Sequence, residues 1–258
     1  MKFGICTSLD HAAAAKAAGW DYVEESVQAL LQGEVADEKW GGEKKAKSSP
    51  LPATCANMLV PASMKITGPD VHLGPMLEYL SRVIKRAKKV GIKTLVFGSG
   101  GARNAPKGLD PTNAQEQILA FARIAADVAK HAGVVIVLEP LNKGECNIIN
   151  TVEEARWYVK KIDHPNFRLL VDSYHLWVEK EPLENVKEAM PWIAHVHVAD
   201  KDGRTAPGES GKADYRPLFH LLKSGGYDGT MSVEATRFDI PGRGAAVLQY
   251  LKDQWKGS

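Results

Sequence analysis

The chain has 258 residues, of which 44% are hydrophobic and 25% are charged, a composition typical of a globular protein with a full core. Its 33 basic and 31 acidic residues give a net charge of +2, and this near balance argues against a nucleic-acid-binding protein, which usually carries a basic face. No apolar run approaches the roughly 20 residues of a membrane-spanning helix, so we expect no membrane partner.

Strand and helix signals alternate from the N-terminus onward. The first four predicted strands are short, mostly apolar runs at 2–8, 21–27, 51–60 and 93–99. The first starts at MKFGICTS, with no apolar signal segment before it, and the three cysteines form no CxxC pair. We therefore expect a protein of the reducing cytoplasm.

The next four predicted strands each carry an acidic or imidazole side chain near the carboxyl end. They are VVIVLE ending at Glu139, FRLLVD ending at Asp172, IAHVHVAD carrying His197, and GTMSVE ending at Glu234. A charged group is costly to bury without a partner, so four such groups at the same strand ends predict one shared polar site. Taken singly, each has a structural interpretation, such as a salt-bridged acid or a helix cap at Asp172. We interpret His195, one layer deeper, as a hydrogen-bonded supporting group.

Helical stretches lie between the strands, and several end in a glycine just before the next strand, as at Gly91 and Gly133. Eight strands in this rhythm, without a long linker, predict a single (β/α)8 TIM barrel over residues 1–258. A doubly wound open sheet is the alternative, but the first strand–helix turn, TSLDHAAAA, lacks the GxGxxG fingerprint. Trp40, in the long segment 31–50, is either a lid over the site or packed under its own loop.

The four strand-end residues supply three carboxylates and one imidazole. Oxygen-rich coordination with one histidine suits one divalent ion, Mn²⁺, Mg²⁺ or Co²⁺, better than zinc.

Four segments carry a family resemblance: EPLNKGECNIINT (139–151), VDSYHLW (171–177), HVHVAD (195–200) and VEAT (233–236). They resemble the sugar phosphate isomerase/epimerase branch of the xylose isomerase-like TIM barrel superfamily, which includes ketose 3-epimerases and hydroxypyruvate isomerase-like proteins. The resemblance implies that Glu139, Asp172, His197 and Glu234 bind the metal. It also implies substrate contacts for Glu145, His175 and Arg204. Arg204 is one residue further from His197 than in the epimerases, and hydroxypyruvate isomerase-like members carry Gln in place of His197.

These features together predict a metal-dependent isomerase or epimerase of a small ketose or hydroxy-ketone. A divalent cation would stabilise the enediolate that forms when a proton is removed next to the carbonyl. Glu139 and Glu234 are the predicted proton carriers, one on each face of the substrate. The expected partner is this small molecule, and a homo-oligomer is compatible with the sequence.

Three alternatives stay open at this point. A dehydratase of the inosose or dehydroshikimate type would use the same metal site. A non-catalytic sugar- or metal-binding protein would not need the two glutamates. An AP endonuclease-like nuclease would need further histidines at the ends of strands two to four, where CANMLVP and VFGSG have none.

Overall fold

Eight parallel strands close into a barrel in the computed structural model, which describes residues 1–258. The strands follow one another around the barrel in chain order, and the first pairs with the last. They are β1 (Lys2–Cys6), β2 (Tyr22–Ser26), β3 (Ala53–Asn57), β4 (Thr94–Phe97), β5 (Val135–Leu138), β6 (Phe167–Asp172), β7 (Ile193–Val198) and β8 (Thr230–Val233). The predicted TIM barrel is confirmed, and the open doubly wound sheet is wrong.

Helices connect the strands on the outside of the barrel. They are α1 (Ala12–Ala17), α2 (Val27–Leu30), α3 (Gly42–Ser48), α4 (Leu73–Val90), α5 (Gly100–Arg103), α6 (Pro111–Lys130), α7 (Val152–Ile162), α8 (Ser173–Val178), α9 (Leu183–Ala189), α10 (Arg216–Ser224) and α11 (Ile240–Lys256). Gly91 ends α4 at φ +86°, the left-handed conformation that glycine adopts most easily. None of the helices is long and apolar enough to cross a membrane.

Most of the hydrophobic core lies between the barrel and its helices, where 61 buried residues form one cluster. A second, separate cluster of Val96, Val137 and Leu170 fills part of the barrel interior. Gly4 leaves room for the Tyr22 ring to cross the interior, because a Cβ at Gly4 would lie 2.2 Å from that ring. The barrel interior is therefore filled with side chains, and it supports the residues at the carboxyl ends of the strands.

The register of the parallel strands brings the polar strand ends to one level. Asp172 of β6 is directly opposite His197 of β7, and His197 is opposite Ser232 of β8, two residues before Glu234. Side chains two apart share a face of a strand, so these groups all point into the barrel mouth.

Trp40 packs under its own loop and does not cover the barrel mouth. Its indole Nε1 donates a hydrogen bond to the Leu30 carbonyl at 2.8 Å, and the Arg86 guanidinium lies 4.8 Å from its ring centre. The lid alternative for Trp40 is therefore wrong.

Candidate metal centre

The four strand-end side chains meet at the carboxyl end of the barrel. One ligand atom from each of Glu139, Asp172, His197 and Glu234 lies within 4.8 Å of the others. The His197 Nδ1 is 3.2 Å from Glu139 Oε1 and 3.3 Å from Glu234 Oε2. We call these four residues the strand-end centre. A single cation between them could contact all four.

The donor set of the strand-end centre fits a divalent cation. Three buried or half-buried carboxylates so close together repel one another and need positive charge between them. Arg204 supplies part of that charge, since its Nη2 lies 2.5 Å from Glu234 Oε2 and 3.4 Å from Asp172 Oδ2. Three oxygen donors and one imidazole are the ligands that Mn²⁺ or Mg²⁺ accepts.

The surroundings push the pKa values of the two glutamates in opposite directions. Burial raises the pKa of Glu139. Burial also acts to raise the pKa of Glu234, but His197 and Arg204 outweigh it and lower that pKa to about 2. Two carboxylates separated in this way can take different parts in proton transfer.

Glu145 and Arg204, two of the three residues predicted to contact substrate, line the barrel mouth beside the strand-end centre. Arg204 Nη1 donates to Glu145 Oε1 at 3.3 Å, which joins these two side chains beside the strand-end centre. The Arg204 backbone has φ +49° and follows Gly203 at φ +72°, so two consecutive residues adopt the left-handed conformation at this turn. His175 is buried, and its Nδ1 accepts a hydrogen bond from the Asn142 backbone N–H at 3.1 Å. Its Nε2 has no hydrogen-bond partner and lies 3.6 Å from Asp172 Oδ2, next to the strand-end centre.

Two separate pockets lie at this end of the barrel. One, of about 390 Å³, lies on the outer side of the loop after β7. The other is smaller, at about 360 Å³, and opens above the strand-end centre. The smaller pocket adjoins the strand-end centre, because Glu139, Glu145, Arg204 and Glu234 line it. Gly98 is required at its wall, since a Cβ there would lie 2.3 Å from Glu139 Oε2. A pocket of this volume suits a small molecule.

Sequence reasoning missed three residues that hold the site together. Glu24 of β2 lies beneath His197, Asn57 of β3 donates to Glu234 Oε1 at 3.2 Å, and the Arg103 guanidinium donates to the Glu139 carbonyl at 2.8 Å. The one available signal was Glu24, an acid within the strand run DYVEESV that shares a strand face with Tyr22. No histidine lies at the ends of β2, β3 or β4, so the ligands of a multi-zinc nuclease are not present.

Comparison with known proteins gives matches along nearly the whole chain. A family model described as Xylose isomerase-like TIM barrel matches residues 12–254. A 3-dehydro-D-guloside 4-epimerase of Escherichia coli is 29% identical over 167 residues, which are 61% of this chain and 62% of that protein. A D-psicose 3-epimerase of Ruminiclostridium cellulolyticum is 26% identical over 181 residues, 67% of this chain and 60% of that protein.

A solved structure extends the likeness to the complete barrel. The apo form of a 3-keto-D-glucoside 4-epimerase from E. coli superposes with a TM-score of 0.80 at 25% identity, covering 98% of this chain and 99% of that one. The sequence matches to the two curated epimerases span less than two thirds of their lengths.

Proposed function

Because the chain belongs to the xylose isomerase-like TIM barrel family, we propose that it is a divalent-metal-dependent epimerase or isomerase of a small ketose or hydroxy-ketone. The observation that carries the proposal is the strand-end centre, four ligand atoms within 4.8 Å at the floor of a pocket of about 360 Å³. The similarity to the two sugar epimerases supports the same reaction class.

The metal would be held by Glu139, Asp172, His197 and Glu234, with Mn²⁺, Mg²⁺ or Co²⁺ as the ions that suit these donors. When bound, such a cation draws electrons from a carbonyl oxygen and so makes the neighbouring C–H more acidic. Proton transfer and orientation of the substrate would be carried out by side chains.

Glu139 and Glu234 are the proposed proton carriers. Burial raises the pKa of Glu139, which makes its carboxylate the stronger base of the two. Glu234, whose pKa is lowered to about 2, is ionised and is the weaker base of the two. In an epimerisation an ionised glutamate would remove the proton from one face of the carbon. The other glutamate, carrying a proton on the oxygen that it does not offer to the metal, would give that proton to the opposite face.

Arg204, His175 and Glu145 would orient the sugar. Arg204 and Glu145 are already joined to each other at 3.3 Å, and the free Nε2 of buried His175 offers one more donor. Fixing two or three hydroxyls in this way holds the reacting carbon next to the glutamates, which lowers the entropic part of the barrier.

Transfer of solvent deuterium into a panel of ketoses, with added Mn²⁺ or Mg²⁺, tests this proposal. We expect exchange at a carbon next to the carbonyl, and at least a roughly 100-fold loss of exchange in Glu139→Gln. Glu188→Gln, which changes a half-exposed glutamate paired with Arg156, is the matched control and should retain exchange. Water loss from an inosose without exchange into any ketose would show a dehydratase instead.

A further inference from the structure

A second acid lies directly beneath the strand-end centre. Glu24 is 1% exposed, and its Oε1 is 2.9 Å from His197 Nε2. Its Oε2 is 2.8 Å from His195 Nε2 and accepts a hydrogen bond from Ser232 Oγ at 2.6 Å. Both carboxylate oxygens are therefore engaged inside the barrel.

The orientation of the His197 ring follows from these contacts. A carboxylate only accepts hydrogen bonds, so the His197 nitrogen beside Glu24 must carry the proton. The other nitrogen, Nδ1, lies 3.2 Å from Glu139 and 3.3 Å from Glu234, which is the side where a cation would bind. With Nε2 protonated, the Nδ1 lone pair is left for the metal.

We propose that Glu24 is a positioning residue that fixes the ring and tautomer of His197 for metal binding. A ligating histidine commonly donates its second N–H to such an outer carboxylate, which raises the basicity of the ligating nitrogen. This inference deepens the proposed function and rests on it, because it assigns a role to a residue that does not touch metal or substrate.

Glu24 is itself held in place by a chain of hydrogen bonds. Ser232 Oγ lies 2.8 Å from the Tyr22 hydroxyl, and His195 Nδ1 lies 2.7 Å from Thr230 Oγ1. Rotation of the Glu24 carboxylate would break its contacts to His195, His197 and Ser232 together. These contacts leave the Glu24 side chain few alternative conformations, so Glu24 can hold the His197 ring in one orientation.

Glu24 is unsuitable as a ligand of a second, deeper metal. Two further groups, Cys6–Glu24–His197 and Glu24–Cys55–His195, have donor atoms close enough to hold an ion. Both would need Glu24 oxygens that already accept hydrogen bonds from the two imidazoles and Ser232.

The test compares Mn²⁺ affinity, by calorimetric titration, in the wild type, Glu24→Gln, Glu24→Leu and Glu25→Gln. Loss of the carboxylate charge should raise the Mn²⁺ dissociation constant roughly 10-fold in Glu24→Gln, which keeps one amide oxygen as an acceptor. Loss of every acceptor should raise it up to roughly 100-fold in Glu24→Leu. Glu25→Gln is the matched control, because Glu25 is the next residue of β2 and also buried, but it contacts the Leu9 and Ser26 backbone N–H groups. Glu25→Gln should bind Mn²⁺ as the wild type does.

The outcomes separate this role from the proposed function. Failure of the wild type to bind Mn²⁺ overturns the proposed function. Wild-type binding with unchanged affinity in a folded Glu24 variant overturns the positioning role alone. If both variants fail to fold, ¹⁵N NMR of the histidine-labelled, Mg²⁺-loaded wild type decides. A His197 proton on Nε2 supports the role of Glu24, and a proton on Nδ1 contradicts it.

Discussion

His197 shows how strongly neighbours set the chemistry of a single residue. Burial acts to lower the pKa of its imidazole, but Glu24 and Glu234 outweigh burial and hold that pKa well above the usual value. The neighbouring acids therefore favour the protonated form of this ring in the metal-free protein, although the ring is completely buried. Its charge balances the neighbouring carboxylates, much as Arg204 does from the solvent side.

Metal binding should therefore release protons. A metal ligates only the deprotonated nitrogen, so a protonated His197 must lose a proton, and Glu139, with its raised pKa, must be ionised. Because both changes release protons, we expect Mn²⁺ affinity to increase as pH rises from about 6 to about 8. Calorimetry in buffers of different ionisation enthalpy should show about one proton or more released per ion. Affinity independent of pH, with no proton release, would contradict this.

At the scale of elements, one short helix fixes the carboxyl ends of two strands. Arg103 is the last residue of α5 and completely buried. Its guanidinium donates to the Phe97 carbonyl at the end of β4 at 3.0 Å, and to the Glu139 carbonyl after β5 at 2.8 Å. The arginine thus holds the backbone of a proposed metal ligand without entering the pocket.

Replacement of Arg103 should destabilise the barrel. Arg103→Met would leave buried carbonyls without this partner, and we expect the free energy of unfolding in urea to fall by about 3 kcal/mol or more. Arg156→Met is the control, because Arg156 forms a surface ion pair with Glu188. That pair should contribute no more than about 1 kcal/mol. Equal stability of the two variants would show that Arg103 does not have this structural role.

Sequence patterns predicted the strands well because a parallel strand buried on both faces is a short apolar run, and a charged residue marks its end. That signal located Glu139, Asp172, His197 and Glu234, which the structure brings together. It did not single out Glu24, because this acid lies inside its strand and not at the end. It could not predict the contact of Glu24 with His197, 173 residues away in the chain. Arg103 gives no pattern at all, since its partners are backbone carbonyls.

At the scale of the whole molecule, closure of the barrel turns separate strand ends into one site. The first of the four residues and the last, Glu139 and Glu234, are 95 positions apart in the chain, yet each lies within 3.3 Å of the same imidazole nitrogen. A site assembled from four strands exists only in the folded barrel, so an ion bound there must stabilise the folded state. At a free ion concentration of 100 times the dissociation constant, the gain is about 2.7 kcal/mol.

The central claim is a single divalent-ion site at the strand ends. A metal titration that compares the wild type with Glu234→Gln tests this claim most directly. We expect one Mn²⁺ per wild-type chain, a higher unfolding temperature with the ion present, and loss of both effects in Glu234→Gln. Glu25→Gln, whose carboxylate lies outside the strand-end centre, should behave as the wild type. Undiminished binding and stabilisation in folded Glu234→Gln would contradict the account.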